Sequence, residues 1–229
     1  MRLDRFVEST LSSSTRSVRN LFVRRQVWLN GVAVADGRCQ ISEFCRVEVA
    51  GTILQARTPI YIMLHKPKGC VSATSDAKNS TVLDLINVPE KAQLHLAGRL
   101  DFNTTGLMLL TNDGRWSRKL TQPQQKIPKR YWVQTQDEIT ADYVQIFAQG
   151  IYFKFEDLTT RPAQLDVLSS HTAHLTIHEG RYHQIKRMFG FFNNEVINLH
   201  RLSMGAIELD ENLLPGEFRH LTPLEISSI

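Results

Sequence analysis

The sequence has few cysteines and no long apolar run. Only three of its 229 residues are cysteines (Cys39, Cys45 and Cys70), and none form a Cys-x-x-Cys pair. This disfavours a disulfide framework or a cysteine zinc site and favours reduced thiols. The longest apolar runs span four or five residues, whereas a membrane-spanning helix needs roughly twenty. The charged N-terminal segment is unlike a signal peptide, so we expect a cytoplasmic protein without a membrane segment.

Cofactor motifs are lacking as well. The sequence contains neither a GxGxxG loop nor a P-loop, and it has no spaced cluster of metal ligands. The histidines His171, His174 and His178 lie close together in sequence. Residues 174–178 alternate as a strand does, however, which places positions four apart roughly 13 Å from each other. The sequence therefore predicts neither a cofactor nor a metal site.

Positive charge is small in total and unevenly distributed. The formal net charge is +4: residues 1–58 hold nine arginines and five acidic residues, and the rest of the chain holds eighteen basic and eighteen acidic residues. A second basic block occurs inside the neutral part, with six basic residues and no acidic one: Arg115, Arg118, Lys119, Lys126, Lys129 and Arg130. Both features are typical of surfaces that contact phosphates.

Residues 1–58 predict a small unit of two helices and a hairpin. Apolar residues recur at helical spacing from Leu3, the Ser/Thr cluster 12–15 can cap a second helix, and Asn30-Gly31 predicts a hairpin turn. No acidic residue occurs between positions 9 and 35. The unit resembles the alpha-L RNA-binding module, and this resemblance implies RNA phosphate contacts by Arg16, Arg19, Arg24 and Arg25. For any single arginine, a solvated helix surface is the alternative.

Residues 59–229 predict an α+β domain with a mixed, mainly antiparallel sheet. Pro59 marks the boundary, because it discourages helix at the preceding residue. Apolar patterns predict strands at 60–64, 107–111, 131–135, 174–178 and 196–199, and helices at 139–149 and 183–192.

A polar turn directly before the apolar run 107–110 carries a candidate catalytic carboxylate, Asp101. Arg99 lies two residues earlier, and in an extended segment both side chains would emerge on one face. An arginine near a carboxylate stabilises its ionised form, which a nucleophile requires. The residues alone leave open that Asp101 only caps a turn with Asn103 and Thr104.

Motifs along essentially the whole chain resemble those of the RsuA/RluB branch of pseudouridine synthases. They include His65-Lys66-Pro67-Lys68-Gly69, Gly98-Arg99-Leu100-Asp101, Leu110-Thr111-Asn112-Asp113-Gly114, Lys129-Arg130-Tyr131, Glu179-Gly180-Arg181-Tyr182-His183-Gln184-Ile185-Lys186-Arg187 and Leu199-His200-Arg201. One departure is His65, where the family usually has asparagine. Within the branch, the length and motif spacing are most similar to the synthases that act on 16S ribosomal RNA.

The resemblance implies a site and a reaction. Asp101 would attack the ribose or abstract a proton from it, Tyr131 would stack on the uracil, and Lys186 would lie beside Asp101. Arg99 would either contact the phosphate or backbone of the flipped nucleotide or keep Asp101 ionised. Further RNA contacts are implied for Lys66, Arg115, Arg118, Lys119, Lys129, Arg130 and Arg187. The reaction breaks the N-glycosidic bond of a uridine and rejoins the uracil through carbon 5, so it needs no cofactor. The implied partner of this expected monomer is 16S rRNA or a small-subunit assembly intermediate.

Two other functions remain open at this stage. One is a pseudouridine synthase acting on 23S rRNA, and the other is a non-catalytic RNA-binding factor in ribosome assembly that uses the basic N-terminal unit alone. Such a factor would not need the set Arg99, Asp101, Tyr131 and Lys186. A glycosidase is disfavoured, because hydrolysis usually needs two carboxylates that flank the bond, and Asp113 lies at the far end of the strand.

Overall fold

Pro59 is the point at which the chain passes from one folding unit to the next. The computed structural model describes residues 1–154 and 156–229, and these divide into the units Met1–Pro59 and Ile60–Ile229. The assignment of the first unit to the alpha-L module stays a prediction. Within the described ranges, no helix combines the length and apolar character needed to cross a bilayer.

The first unit consists of two helices and a four-stranded antiparallel sheet in the order β2-β1-β3-β4. Ser14 caps the second helix by accepting a hydrogen bond from the Ser17 amide, and Asn30 and Gly31 have the positive φ angles of a hairpin turn. The predicted helices and hairpin are confirmed. The elements are α1 Leu3–Thr10, α2 Thr15–Val23, β1 Val27–Leu29, β2 Val32–Ala33, β3 Val47–Val49 and β4 Thr52–Gln55.

The second unit contains four helices and eleven strands among the residues that the structure describes. The helices are α3 Gly114–Thr121, α4 Ala141–Gln149, α5 Gln184–Gly190 and α6 Pro223–Ser227. The strands are β5 Tyr61–Lys66, β6 His95–Leu96, β7 Thr105–Thr111, β8 Lys129–Thr135, β9 Tyr152–Phe153, β10 Leu158–Thr159, β11 Gln164–Ser169, β12 Thr172–Ile177, β13 Val196–Met204, β14 Ile207–Glu208 and β15 Phe218–His220. They include every strand and helix predicted for this part of the chain.

Nine strands form one mixed sheet with the central order β11-β12-β8-β13-β7-β5-β15. The β13–β7 pair is parallel, and the other pairs along this order are antiparallel, which confirms the predicted mixed, mainly antiparallel sheet. Side chains of β7 alternate between two apolar clusters: Met108 and Leu110 face one, and Leu107 and Leu109 face the other. The sheet is therefore packed on both faces.

The parallel contact between β7 and β13 depends on a glycine. Gly106 has φ of +104°, and a Cβ at this position would lie 2.3 Å from the carbonyl oxygen of Arg201. No other residue fits so close to a neighbouring backbone. This contact fixes the start of β7, which directly follows the segment that carries Asp101.

Candidate active site

Asp101 lies in an irregular segment, residues 97–104, which we name the Asp101 loop. The loop is fixed by local hydrogen bonds. Ser72 Oγ donates to the Leu100 carbonyl at 2.6 Å and accepts from the Leu100 amide at 3.0 Å, and the Thr104 amide donates to the Asp101 carbonyl at 3.1 Å. The carboxylate is therefore presented from a constrained backbone rather than from a mobile turn.

Two fully buried cations hold the same loop from inside the protein. Lys66 Nζ donates to the carbonyl oxygens of Pro67, Phe102 and Thr104 at 3.0, 3.2 and 2.9 Å. Arg201 Nη1 donates to the Arg99 carbonyl of the loop at 3.5 Å, and its Nε donates to the Leu107 carbonyl in β7 at 2.7 Å. The prediction that Lys66 contacts RNA is wrong, because its ammonium group is inaccessible and all three of its donors have protein acceptors.

The four predicted catalytic residues meet at a small recess of about 80 Å³. Asp101 and Arg99 come from the Asp101 loop, Tyr131 from β8 at the centre of the sheet, and Lys186 from α5. A bound water needs roughly 10–15 Å³ by a comparable measure, so the recess is larger than a single water requires. Its walls combine charged groups with the apolar side chains of Leu100, Ile177, Ile185 and Leu199.

The basic side chain nearest to the Asp101 carboxylate is one that the sequence did not single out as a site residue. His183 Nε2 lies 3.5 Å from Asp101 Oδ1. Arg99 and Lys186 line the same recess, but within the described ranges neither forms an ion pair with Asp101. Arg99 therefore makes no direct ion pair with Asp101 in the described part of the chain, and its two implied roles stay predictions. His183 lies in the predicted motif 179–187, where its position before α5 was the available signal.

Two hydroxyl groups at the recess have no protein partner among the residues described. Tyr131 is 6% exposed, and its hydroxyl makes no hydrogen bond. Thr104 is 1% exposed, and its Oγ1 is buried without a partner. A buried hydroxyl without a partner is unfavourable, so a polar ligand in the recess would be favourable for the Thr104 hydroxyl.

A larger cavity of about 620 Å³ adjoins the recess and shares Arg99, Asp101, Tyr131 and His183 with it. This volume is in the usual range for ligand pockets. Lys129 and Arg201 also line it. Burial, together with the nearby Arg201 guanidinium, lowers the pKa of Lys129 to about 8.

Glu179 shapes the segment between β12 and α5. Its carboxylate is 6% exposed and accepts hydrogen bonds from the Arg161 amide, Gln184 Nε2 and Arg181 Nε at 3.0, 2.9 and 3.1 Å. This segment also carries Tyr182, which is 78% exposed and stacks on the His183 ring with centroids 4.0 Å apart. The exposed ring of Tyr182 thus lies against His183, the side chain that pairs with Asp101.

In the first unit, the arginines divide into a paired and an unpaired group. Each of the five acidic residues forms an ion pair with one arginine: Arg2–Asp4, Arg5–Glu8, Arg38–Asp36, Arg46–Glu48 and Arg57–Glu43. The other four arginines are exposed and have no ion-pair partner in the described structure: Arg16, Arg19, Arg24 and Arg25. These four are the residues predicted to contact RNA, and they account for the net charge of this unit.

The second basic block is mainly exposed, but several of its members have protein contacts. Arg115, Arg118 and Lys119 lie on the exposed side of α3, and Lys119 Nζ donates to the carbonyl of Ile229 at 2.9 Å. Arg130 donates from Nη2 to His174 Nδ1 at 2.7 Å. These contacts hold the side chains at the surface without neutralising them.

Arg187 differs from the other predicted RNA contacts because it pairs with an acidic residue. Its guanidinium group binds the Glu156 carboxylate and lies 3.8 Å from the centroid of the Phe153 ring. An RNA contact by Arg187 would have to compete with this ion pair.

The three histidines considered for metal binding have other contacts. His171 Nδ1 lies 2.8 Å from Ser170 Oγ, His174 accepts from Arg130, and His178 Nδ1 lies 3.0 Å from the Lys126 carbonyl oxygen. Across the part of the chain that the structure describes, no three His, Cys, Asp or Glu side chains are close enough to hold a metal ion.

Comparisons with known proteins identify the family of this chain. Residues 60–190 match the family described as RNA pseudouridylate synthase. The chain is 51% identical over 230 residues to the ribosomal small subunit pseudouridine synthase A of Pseudomonas aeruginosa, with 100% of both chains covered. It is 44% identical over 229 residues to that of Vibrio cholerae, which covers 100% of this chain and 99% of the relative.

A solved structure shows the same fold. The crystal structure of a pseudouridylate synthase aligns with a TM-score of 0.73 at 38% identity and covers 100% of this chain and 99% of that one. The chain belongs to the RNA pseudouridylate synthase family, an enzyme class that isomerises uridine in RNA to pseudouridine. The family predicted from the motifs is thereby confirmed.

Proposed function

We propose that this protein converts a uridine of 16S ribosomal RNA to pseudouridine, with Asp101 as the catalytic residue. The relatives that match its full length are named small-subunit synthases. The observation that carries the proposal is the recess, where Asp101, Arg99, Tyr131 and Lys186 from three separate parts of the fold line one space.

The chemistry follows from the surroundings of Asp101. Attack on the ribose and abstraction of a ribose proton both require an ionised carboxylate. His183 Nε2 lies 3.5 Å from Asp101 Oδ1, and Arg99 and Lys186 line the same recess as this carboxylate. In the overall reaction, a C–N glycosidic bond breaks, a C–C bond forms through carbon 5, carbon 5 loses a proton and the former ring nitrogen gains one.

Tyr131 and Thr104 are suited to hold the uracil. The aromatic ring of Tyr131 lines the recess and can stack on the base, and its unpaired hydroxyl can assist proton transfer at carbon 5. The unpaired Thr104 hydroxyl can hydrogen-bond to a polar edge of the base. Polar groups on a uracil would satisfy hydroxyls that the protein leaves without a partner.

The RNA would be held mainly by exposed cations. A base inside a duplex or stack must leave it to reach the recess, at a cost of a few kcal/mol. Phosphate contacts offset this cost. In the first unit, the proposed alpha-L module, we assign them to the four unpaired arginines, and in the second unit to Arg115, Arg118, Lys119, Lys129 and Arg130, with Arg187 contributing when its pair with Glu156 opens.

The setting that we propose is the cytoplasm, where the protein acts as a monomer on 16S rRNA or on a partly assembled small subunit. Its three cysteines are all free thiols, which is typical of a reducing compartment.

Replacement of the carboxylate tests the catalytic assignment. We expect Asp101→Asn to lower tritium release from carbon-5-labelled uridine in 16S rRNA by roughly a thousandfold or more, because the essential carboxylate is lost. RNA binding and the unfolding midpoint should be unchanged. The matched control is Asp166→Asn, an exposed aspartate that lines neither cavity. Wild-type rates in Asp101→Asn would contradict the assignment.

Mapping of pseudouridine in ribosomal RNA tests the substrate. In cells that lack the protein, we expect one pseudouridine of 16S rRNA to disappear, and re-expression of the wild type but not of Asp101→Asn to restore it. Loss of a 23S rRNA site instead would establish the 23S alternative. An unchanged map, together with no activity of the purified protein on any ribosomal RNA, would favour a non-catalytic assembly factor.

A further inference from the structure

Two cations meet at the larger cavity without a carboxylate bound to either. Lys129 Nζ makes one hydrogen bond, to the carbonyl oxygen of Ile127 at 3.1 Å. Arg201 is 1% exposed, and its Nη2 is buried without any partner among the described residues. Both residues line the cavity of about 620 Å³ that adjoins the Asp101 recess.

The acidic groups that line this cavity are already engaged. Glu179 accepts hydrogen bonds from Arg161, Gln184 and Arg181. Asp101 faces the recess, where His183 is its nearest basic side chain. Neither carboxylate is within ion-pair distance of Lys129 or Arg201, in the ranges that the structure describes.

The two cations disfavour each other in the absence of a ligand. The charge of Arg201 contributes to the lowered pKa of Lys129, after the larger effect of burial. A buried donor without an acceptor and a half-buried ammonium are both unfavourable. An anion between them would supply the missing acceptor and the missing negative charge.

We propose that Lys129 and Arg201 form a subsite for a phosphodiester group of the RNA strand adjacent to the target uridine. The inference rests on the proposed function and deepens it. The recess is much smaller than the adjoining cavity, and the two share a wall at Asp101 and Tyr131. With the target base in the recess, the larger cavity is therefore the space open to the flanking RNA backbone. A backbone phosphate is the anion that an RNA strand brings to this position.

The test removes one charge from each side of the contact. Substrate RNAs carry a neutral methylphosphonate in place of one phosphodiester at a time, at the positions flanking the target uridine. With the wild type, we expect one of these RNAs to lose about tenfold in kcat/KM, with the effect mainly in KM. The variant Lys129→Met should lose about tenfold on the unmodified RNA and almost nothing further on that methylphosphonate RNA.

Two controls separate this contact from general effects. Lys78→Met makes the same change at an exposed lysine outside both cavities and should leave every substrate unaffected. Lys129→Arg keeps the charge and should retain most of the activity. The unfolding midpoint of each variant confirms that it is folded.

The outcomes are distinguishable from a failure of the proposed function. The loss in kcat/KM from Lys129→Met and the loss from each flanking methylphosphonate are compared with the loss when both are present. If the combined loss is the product of the two single losses for every methylphosphonate RNA, Lys129 contacts no phosphate next to the target, and the subsite is overturned. The same holds if 50 mM inorganic phosphate protects Lys129 from acetylation while a substrate RNA does not, because a free anion would then be the ligand. If the wild type forms no pseudouridine on any RNA, the proposed function itself fails.

Discussion

The two units of this protein place positive charge in opposite ways. In the first unit, the cations are on the surface: every acidic residue pairs with an arginine, and four exposed arginines are left over. The second unit has no net charge, yet it buries Lys66 and Arg201 completely beside the Asp101 loop. The outer cations attract a polyanion, whereas the inner cations fix a backbone segment.

Exposed and buried cations should differ in how their contributions to RNA binding and to protein stability depend on salt. Exposed charges are screened within a Debye length of about 8 Å at physiological ionic strength. Their contribution to RNA binding therefore falls as salt rises. The inner cations interact with carbonyl oxygens away from solvent, and burial lowers the pKa of Lys66. The contribution of Lys66, whose three donors all have protein acceptors, should appear as stability and loop geometry, with little dependence on salt.

The largest effect is expected from removal of an inner cation. Lys66→Met deletes the donor shared by the carbonyls of Pro67, Phe102 and Thr104. We expect a loss of about 3 kcal/mol in the free energy of unfolding, because buried acceptors lose their partner. Urea denaturation measures this loss. Pseudouridine formation by the folded fraction should also fall, since the Asp101 loop loses its support.

Lys68 provides a matched control two residues away. Lys68 is exposed, and its Nζ donates to the side chain of Asn198. Lys68→Met should change the free energy of unfolding by less than about 0.5 kcal/mol. Equal losses for the two variants would show that burial of Lys66 has no special importance, and the contrast between inner and outer cations would fail.

Removal of the outer cations is expected to have the next largest effect. Replacement of Arg16, Arg19, Arg24 and Arg25 by glutamine should weaken RNA binding by about 10–100-fold at low salt. The slope of log Kd against log salt should fall by about 0.7–0.9 for each lost phosphate contact. Filter-binding titrations at several salt concentrations measure both quantities, and the unfolding free energy should remain near that of the wild type.

The paired arginines of the same unit supply the comparison. Glutamine at Arg2, Arg5, Arg38 and Arg46 removes the same number of charges but also leaves their acidic partners unpaired. If only free arginines contact phosphates, the salt slope of this second variant stays close to that of the wild type. A slope that falls equally in both variants would mean that net charge alone governs binding.

The sequence predicted local secondary structure better than it predicted which side chains are buried. Helical periodicity, the Ser14 cap and the Asn30-Gly31 turn are encoded within a few residues, and the structure confirms them. The burial of Lys66 depends on its contacts with Phe102 and Thr104, which are 36 and 38 residues away in the sequence. A lysine in a Pro/Gly-rich turn suggests exposure, so only the tertiary structure could show that it is enclosed.

Within the candidate site, the motifs identified the residue set but not its pairings. Arg99, Asp101, Tyr131 and Lys186 line one recess, as the family resemblance implied. The partner of Asp101 is His183, whose left-handed backbone conformation at the start of α5 brings the ring toward the loop. Such a conformation is uncommon outside glycine, and nothing in the local pattern predicted it.

The smallest expected effect concerns Lys129, which is intermediate between the inner and outer cations. Its pKa is about 8 because of burial and Arg201, and Glu179, His178, Arg181 and Asp101 also line its cavity. Lys129 is charged below this pKa and becomes neutral as the pH rises through it. We therefore expect kcat/KM for the RNA to fall by at most about tenfold between pH 7.5 and 9.5, while kcat changes little.

Lys129→Arg separates this titration from all others in the cavity. An arginine stays protonated throughout this pH range, so the variant should show a flat kcat/KM where the wild type declines. For Lys129→Met, kcat/KM should also be independent of pH, at the lower value that the wild type reaches at high pH. If the decline above pH 8 persists in Lys129→Arg, another group titrates, and Lys129 then behaves as an outer cation with an ordinary pKa. If Lys129 does titrate near pH 8, partial burial makes its phosphate contact sensitive to pH. A fully exposed arginine and the enclosed Lys66 cannot provide a phosphate contact with this pH dependence.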